Sequence, residues 1–299
     1  MNLNWQSKLV LLAVLPFAGA YVVLQTHWWA SQSIEVATWT LGISAVLGLV
    51  TWKLRAATPA AAFTGAAITA CLMYSTVIFP YEPWRTALIP VLAVAVLAYC
   101  ATRLGRKEKE RLGIAEHRRG RTAAQVAANL GIAALVSSEM VQSLLTDTQK
   151  FTPRSLAPMP LFAVGLAALA EAAADTVASE FGQVFGGQPR MITTLQKAEP
   201  GSDGAISLVG TLAGVVAAGI VSIAGTLALS GDRTMFAVSC AGGVFGLLFD
   251  SLLGATLEKW GWLNNDMVNF LSTGSAAALA LGILALLPHP VGGIDVVFH

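Results

Sequence analysis

Apolar runs of about 20 residues recur along the whole chain, separated by short polar stretches. A helix of that length crosses a bilayer core of roughly 30 Å. The pattern therefore predicts an all-α, polytopic helical membrane protein that forms a single integral membrane domain over residues 1–299. We expect about nine transmembrane helices, at 9–27, 36–52, 56–80, 86–102, 122–145, 157–180, 206–229, 235–254 and 268–287.

Composition supports this fold class, because 55% of the residues are hydrophobic and only 12% are charged. Soluble domains carry about 25% charged residues. The distribution of Lys and Arg then predicts the orientation, since cytoplasmic loops are enriched in both. With a cytoplasmic N-terminus, fourteen of the eighteen basic residues fall on the cytoplasmic side, eight of them within 103–121. The loops at 103–121, 181–205 and 255–267 are then cytoplasmic.

The sixth predicted span carries two carboxylates, Glu171 and Asp175, on one face. A charged side chain within a span costs about 2.5–3.5 kcal/mol even on insertion scales. Two on one face therefore favour a compensating cation or a watery cavity over a structural role. The adjoining loop 181–205 is rich in glycine and contains Lys197, which suits phosphate binding. An ordinary turn-rich connection has a similar composition, and the Walker A spacing is absent.

Further polar residues recur near the cytoplasmic ends of other spans. Arg121, Gln125 and Asn129 form one helical stripe, which either lines a pocket or makes hydrogen bonds between helices. Asp250 ends a face of small residues at the close of the eighth span. Asp266 precedes the ninth span, where it serves either as a ligand or as a helix cap.

Several blocks of sequence resemble a known family. These are ADTVASEFG, PRMITT, PGSDGAISLVGTLAG, GRTAAQVAANLG, LLFDSLLGATLE and NNDMVNFLST. They are similar to a family of integral membrane proteins that includes plant phytyl-phosphate kinase and animal transmembrane protein 19, long described only as a domain of unknown function. The resemblance covers about residues 40–287 and extends more distantly to dolichol kinases and phosphatidate cytidylyltransferases. The chain departs from the family pattern at Glu171, where we expect a small residue, and at Asp203.

The resemblance implies a membrane kinase that transfers phosphate from a nucleoside triphosphate, with CTP as a candidate, to an isoprenyl monophosphate. It implies Mg²⁺ as cofactor, the isoprenyl monophosphate and membrane lipid as partners, and no nucleic acid. A homo-oligomer is left open. The expected catalytic residues are Asp175, Asp250 and Lys197, and the expected metal ligands are Asp175, Asp250, Glu180 and Asp266. The expected nucleotide- and phosphate-binding residues are Arg121, Gln125, Asn129, Lys197, Gly201, Ser202, Gly204 and Ser207.

Two other functions remain open on the sequence. An ion-coupled transporter or lipid flippase also places acids within spans and interrupts its helices. Glu139 and Glu171, which lie deeper than the other polar residues, fit transport better. A CTP-dependent cytidylyltransferase would use a similar site but release pyrophosphate.

Overall fold

The computed structural model describes residues 3–106, 120–148 and 158–287, and the described part is a bundle of α-helices. Two very short antiparallel strands, β1 (Arg190–Met191) and β2 (Ala205–Ile206), form a hairpin in the 186–207 loop, with Arg190 opposite Ile206. The helices are α1 (Trp5–Gln32), α2 (Ile34–Lys53), α3 (Pro59–Ser75), α4 (Leu88–Arg103), α5 (Ala123–Ser137), α6 (Glu139–Thr148), α7 (Pro158–Phe185), α8 (Leu208–Ala228), α9 (Arg233–Leu253) and α10 (Asn265–Leu286). A 3₁₀ turn covers Pro83–Arg85, and a π turn covers Gly254–Glu258.

Nine apolar helices in the described residues correspond to the nine predicted spans, and the all-α membrane fold is confirmed. Six of them are long and apolar enough to cross a membrane, whereas α3, α4 and α5 are shorter. At 1.5 Å per residue, the 15 residues of α5 extend only about 22 Å. The predicted spans 56–80 and 122–145 are therefore longer than the helices that form there, whereas 86–102 matches α4 to within two residues.

The predicted span 122–145 is wrong at its second half, because α5 ends at Ser137 and a separate helix, α6, begins at Glu139. The Ser138 hydroxyl donates to the Leu135 carbonyl at 2.7 Å, and the side-chain Nε2 of Gln142 donates to the Ser137 carbonyl at 3.0 Å. Such side-chain bonds replace the helical ladder at the break. Glu139 is exposed at the start of α6, so it does not lie inside the bundle.

Helix α7 lies at the centre and packs against α4, α5, α8, α9 and α10. Its middle is almost entirely alanine and leucine, which are buried. Gly243 and Gly246 of α9 face it so closely that a Cβ atom would overlap Ala170 and Glu171, respectively. Small residues permit this close approach of two helices in a membrane protein. The same contact brings the carboxylates of α7 and α9 together one turn further along.

One end of the bundle gathers segments that are far apart in sequence, and we call it the polar end. The 54–58 turn forms two backbone hydrogen bonds with Arg121. The Thr58 amide donates to the Arg121 carbonyl at 3.0 Å, and the Arg121 amide donates to the Ala56 carbonyl at 2.9 Å. Gln6 of α1 donates to the Trp262 carbonyl at 2.7 Å, so the N-terminus of α1 lies here with the turn before α10. At the opposite end, Arg85 donates to Ser230 at 3.0 Å.

Candidate functional site

Asp175 of α7 and Asp250 of α9 are side by side at the polar end, within hydrogen-bonding reach of each other. Both line a cavity of about 280 Å³, which we call the acidic cavity. The pairing follows from the glycine contacts between α7 and α9 described above, because each acid lies one turn beyond them. The structure therefore brings together two of the acids that the sequence suggested as metal ligands.

The 186–207 loop covers this cavity. Gly201 and Gly204 adopt left-handed backbone conformations, with φ of +85° and +72°, which favour glycine. Gly204 also packs against Ala255 of the π turn so tightly that a Cβ atom would overlap its backbone. Ser207 caps α8 by accepting a hydrogen bond from Gly210 N at 3.1 Å. The cavity lining includes four of the five predicted site residues of this loop, namely Gly201, Ser202, Gly204 and Ser207.

Two further carboxylates, Asp203 and Glu258, line the same cavity and were not predicted as site residues. Asp203 lies between the two left-handed glycines and was visible in the sequence as a departure from the family pattern. Among the described residues, no Lys or Arg lines the acidic cavity. The described lining therefore offers a bound phosphate no side-chain cation of its own.

Lys197 is not brought to the acidic cavity, although the sequence placed it among the catalytic residues. Its backbone pairs with Arg190 in an isolated bridge next to the hairpin, and its side chain is exposed. The side chain of Arg190 is turned to its own loop, where it donates to the Leu195 carbonyl at 2.8 Å. The hairpin geometry thus directs both cations away from the cavity.

The other two predicted metal ligands do not line the acidic cavity either. Glu180 is buried on α7 near enough to Asp175 to interact with it electrostatically. The Asp266 carboxylate accepts a hydrogen bond from the Ser7 hydroxyl at 2.5 Å, while Asn264 provides the cap of α10. Within 3–106, 120–148 and 158–287, no group of three or more His, Cys, Asp or Glu side chains is placed to hold one metal ion.

The donor set nevertheless fits Mg²⁺. This ion is usually held by one or two carboxylates together with waters and substrate phosphates, rather than by a cage of protein ligands. Asp175 and Asp250 supply those carboxylates from two helices. The described lining of the cavity contains further oxygen atoms that can bind a metal ion, and it contains no Lys or Arg side chain.

A second and larger cavity, of about 480 Å³, lies between α2, α3, α4 and α5, and we call it the arginine-rimmed cavity. Its walls are mostly Ala, Gly, Val and Leu, and Ala172 of α7 closes one side. Four arginines line its rim, namely Arg55, Arg103, Arg106 and Arg121. Most of the predicted basic loop, residues 107–119, lies outside the described residues.

The predicted stripe is divided, because two of its residues line the arginine-rimmed cavity and one caps α5. Arg121 lines the arginine-rimmed cavity and donates to Thr176 Oγ1 at 3.2 Å, next to Asp175. Gln125 lines neither cavity, because its side chain accepts from Thr122 N at 2.8 Å and completes the capping box of α5. Asn129 lines the arginine-rimmed cavity and donates to the Gln125 carbonyl at 2.8 Å.

Asn269 of α10, which the sequence did not predict as a site residue, joins the two cavities. With its amide nitrogen toward Asp250, it donates to that carboxylate at 3.3 Å and accepts from Asn129 at 3.2 Å. Since Asn129 lines one cavity and Asp250 lines the other, the contact forms a direct polar path between them.

Glu171 lies one turn deeper than Asp175 and is only 1% exposed. In the described part of the chain, neither of its carboxylate oxygens has a hydrogen-bond partner, although the Ser272 side chain lies beside it. A buried unpaired carboxylate is costly, so its presence needs an explanation beyond packing.

Comparison with known proteins identifies the family. Residues 42–277 match the model of the family described as "Integral membrane protein DUF92". The chain belongs to this family. The resemblance seen in the sequence, to a membrane family long described only as a domain of unknown function, is thereby confirmed. No solved structure matches the chain.

Relatives of this family member occur in bacteria, archaea and plants. An uncharacterized membrane protein of Synechocystis is 35% identical over 212 residues, which cover 68% of this chain and 75% of the relative. An uncharacterized membrane protein of Methanocaldococcus jannaschii is 44% identical over 108 residues, covering 36% and 45% of the two chains. Protein VTE6, chloroplastic, of Arabidopsis thaliana is 29% identical over 197 residues, covering 64% of this chain and 57% of the plant protein.

Proposed function

We propose that this protein is a membrane-embedded kinase that transfers a phosphate from a nucleoside triphosphate to an isoprenyl monophosphate. The observation that carries the proposal is the Asp175–Asp250 pair, held by two central helices beneath a glycine-rich loop. Phosphoryl transfer requires mainly positioning and charge stabilisation, and paired carboxylates beneath a glycine-rich loop suit both. The family membership supports the membrane location that such a kinase needs.

In this proposal the acidic cavity takes the triphosphate of the nucleotide, with CTP as the first candidate. The Gly201–Gly204 backbone can approach phosphate oxygens closely, and the hydroxyls of Ser202 and Ser207 lie in the same lining. Asp175 and Asp250 would hold Mg²⁺ through their carboxylate oxygens. When bound, the ion supplies the positive charge that balances the phosphates.

The acceptor phosphate approaches from the other side of α7. Arg121 is oriented there by its hydrogen bond to Thr176, adjacent to Asp175, and its guanidinium suits a phosphate. The isoprenyl chain stays within the membrane, because its removal costs about 0.8 kcal/mol per buried CH₂ group. An acceptor that cannot leave the bilayer cheaply explains why the transfer site is built at the end of a helix bundle.

The site faces the cytoplasm in this proposal. The polar end carries the loops that hold most of the Lys and Arg residues, and such loops are retained on the cytoplasmic side. Nucleoside triphosphates are available there. A cysteine introduced at exposed Leu195 and labelled with an impermeant maleimide in right-side-out and inverted vesicles tests this orientation, and labelling in right-side-out vesicles alone would contradict it.

A reconstituted assay tests the function. The purified full chain is incubated with Mg²⁺, each nucleoside triphosphate, and farnesyl, geranylgeranyl or phytyl monophosphate, and the prenyl diphosphate is measured by mass spectrometry. We expect diphosphate and nucleoside diphosphate in equal amounts with at least one pair. Release of pyrophosphate would instead establish a cytidylyltransferase, and absence of product with every pair would overturn the kinase.

Ion-coupled transport is the second candidate, and it is favoured by the buried Glu171, which has no hydrogen-bond partner within the described part of the chain. Intramembrane carboxylates of this kind mark proton and ion pathways in transporters. Proteoliposomes with a pH- or sodium-sensitive dye distinguish the two functions. A transporter moves the ion or lipid without consuming nucleotide, whereas the kinase forms diphosphate in detergent, where no gradient exists.

A further inference from the structure

We propose that the arginine-rimmed cavity binds a phosphate monoester of a single long apolar chain, with the phosphate on the arginines and the chain between α2, α3 and α4. This inference rests on the proposed function, because it assigns the acceptor of that reaction to a definite place. The sequence predicted Arg121 as a phosphate-binding residue, and this proposal adds Arg55, Arg103 and Arg106.

The arginines come from separate helix ends that the fold brings together. Arg55 lies in the turn after α2 and adopts a left-handed backbone conformation, with φ of +56°. A residue with a Cβ atom rarely adopts this conformation, which costs about 1–2 kcal/mol. The backbone hydrogen bonds between the 54–58 turn and Arg121 hold these two arginines near each other.

Arg103, at the end of α4, completes this side of the rim. Its guanidinium donates to the Leu54 carbonyl at 3.0 Å and lies over the Tyr99 ring, 4.8 Å from the ring centroid. These contacts fix the guanidinium at the mouth of the cavity while leaving further N–H groups for a ligand, since arginine carries five donors. Several arginines at one mouth indicate a ligand with an anionic head that offers several acceptor oxygens.

Below the rim the cavity changes from polar to apolar. Small residues such as Ala62, Gly65 and Ala95 line the walls between α2, α3 and α4, which leaves space where larger side chains would otherwise meet. An apolar cavity with charged groups at one end matches an amphiphile with an anionic head. The volume of about 480 Å³ lies in the lower half of the range for small-molecule sites, which favours one chain over the two of a phospholipid.

The polar contacts on the inner side orient such a ligand toward the acidic cavity. Arg121 contacts Thr176, the neighbour of Asp175. Asn129 is 5% exposed, lines the cavity, and has an Oδ1 atom without a hydrogen-bond partner among the described residues. Such an orphan acceptor marks a place for a donor, which the P–OH group of a phosphate monoanion supplies. The bound phosphate then lies beside the helix that carries Asp175.

Direct binding tests the inference without turnover. The full chain in nanodiscs of neutral lipid is titrated with farnesyl monophosphate, farnesol, inorganic phosphate or dioleoyl phosphatidic acid, without nucleotide or metal. We expect saturable binding of farnesyl monophosphate that is stronger than that of the other three probes. Equal binding of farnesol would exclude recognition by the arginines, and equal competition by phosphatidic acid would exclude a single-chain ligand.

Matched variants locate the site. Arg55→Gln is expected to weaken binding of farnesyl monophosphate about tenfold, as loss of a charge-assisted hydrogen bond does. Lys53→Gln is its control, because Lys53 lies nearby at the end of α2 but does not line the cavity. Ala95→Phe fills the apolar part, whereas Val96→Phe places the same side chain on the exposed face of α4. Equal effects within either pair, in variants with unchanged gel-filtration profiles, would overturn the proposal.

Turnover separates this proposal from the kinase itself. If prenyl diphosphate forms but Arg55→Gln and Ala95→Phe leave the acceptor KM unchanged, the kinase stands and the acceptor site is wrong. If both variants weaken farnesyl monophosphate binding but no diphosphate forms with any nucleotide, the binding site stands and the kinase is wrong.

Discussion

The Arg121 guanidinium, just before α5, donates to the Thr176 hydroxyl of α7 at 3.2 Å. Arg121 lines the arginine-rimmed cavity, and Thr176 follows Asp175, which lines the acidic cavity. This contact therefore couples the position of Arg121, the proposed phosphate-binding cation, to the helix that carries a candidate metal ligand. Together with the contacts of Asn269, it makes the two cavities parts of one site.

Replacement of Thr176 by Val should loosen this coupling. Thr176→Val removes the oxygen that accepts from Arg121, and a hydrogen bond of this kind contributes about 1 kcal/mol. We expect the acceptor KM to rise about fivefold with little change in kcat. Thr226→Val is the control, because Thr226 is a buried threonine of α8 outside both cavity linings. An unchanged KM would show that Arg121 does not depend on Thr176.

Removal of one carboxylate charge should abolish turnover but not folding. Asp175→Asn keeps the size of the side chain and removes a candidate metal ligand worth several kcal/mol to the transition state. We expect kcat to fall by at least about 100-fold, with an unchanged gel-filtration profile. Glu199→Gln removes a carboxylate from an exposed position of the covering loop and should keep full activity. Full activity of Asp175→Asn would remove Asp175 from the site.

Replacement of Glu171 tests whether this residue belongs to the reacting centre. Glu171→Gln replaces a buried carboxyl group, which has no hydrogen-bond partner among the described residues, by an amide of similar shape, and it removes the titratable group whose charged form is costly to bury. For the kinase we expect retained diphosphate formation and a higher apparent Tm in detergent. A loss of turnover as large as that of Asp175→Asn would place Glu171 in the reacting centre.

The covering loop should depend on Gly204 more than on Gly187. Both residues have left-handed φ angles, of +72° and +63°, so alanine costs about 1–2 kcal/mol of backbone strain at either position. Only at Gly204 would the added Cβ overlap the Ala255 backbone, since nothing lies near Gly187. We expect Gly204→Ala to lower kcat and the apparent Tm more than Gly187→Ala. Equal effects would show that close packing on Ala255 is not needed.

Some features of this protein follow from its sequence alone. The length and hydropathy of each run predict the nine apolar helices, because a segment in a bilayer must satisfy its own backbone hydrogen bonds and does so as a helix. Helix boundaries have local signals as well, such as Thr58 before Pro59 and the capping box of Thr122 with Gln125. The same local rule explains why Gln125, which fits a polar stripe, serves the helix end instead.

Contacts between distant segments were decided only by the tertiary structure. Asp175 pairs with Asp250 because glycines let α9 approach α7, whereas Asp266 bonds to Ser7 of α1. The short hairpin turns Lys197 outward, although its place in a glycine-rich loop suggested phosphate binding. The rim arginines meet because helices α2, α4 and α5 reach the polar end together. Sequence periodicity reports which face of a helix is polar, but packing selects the partner that this face meets.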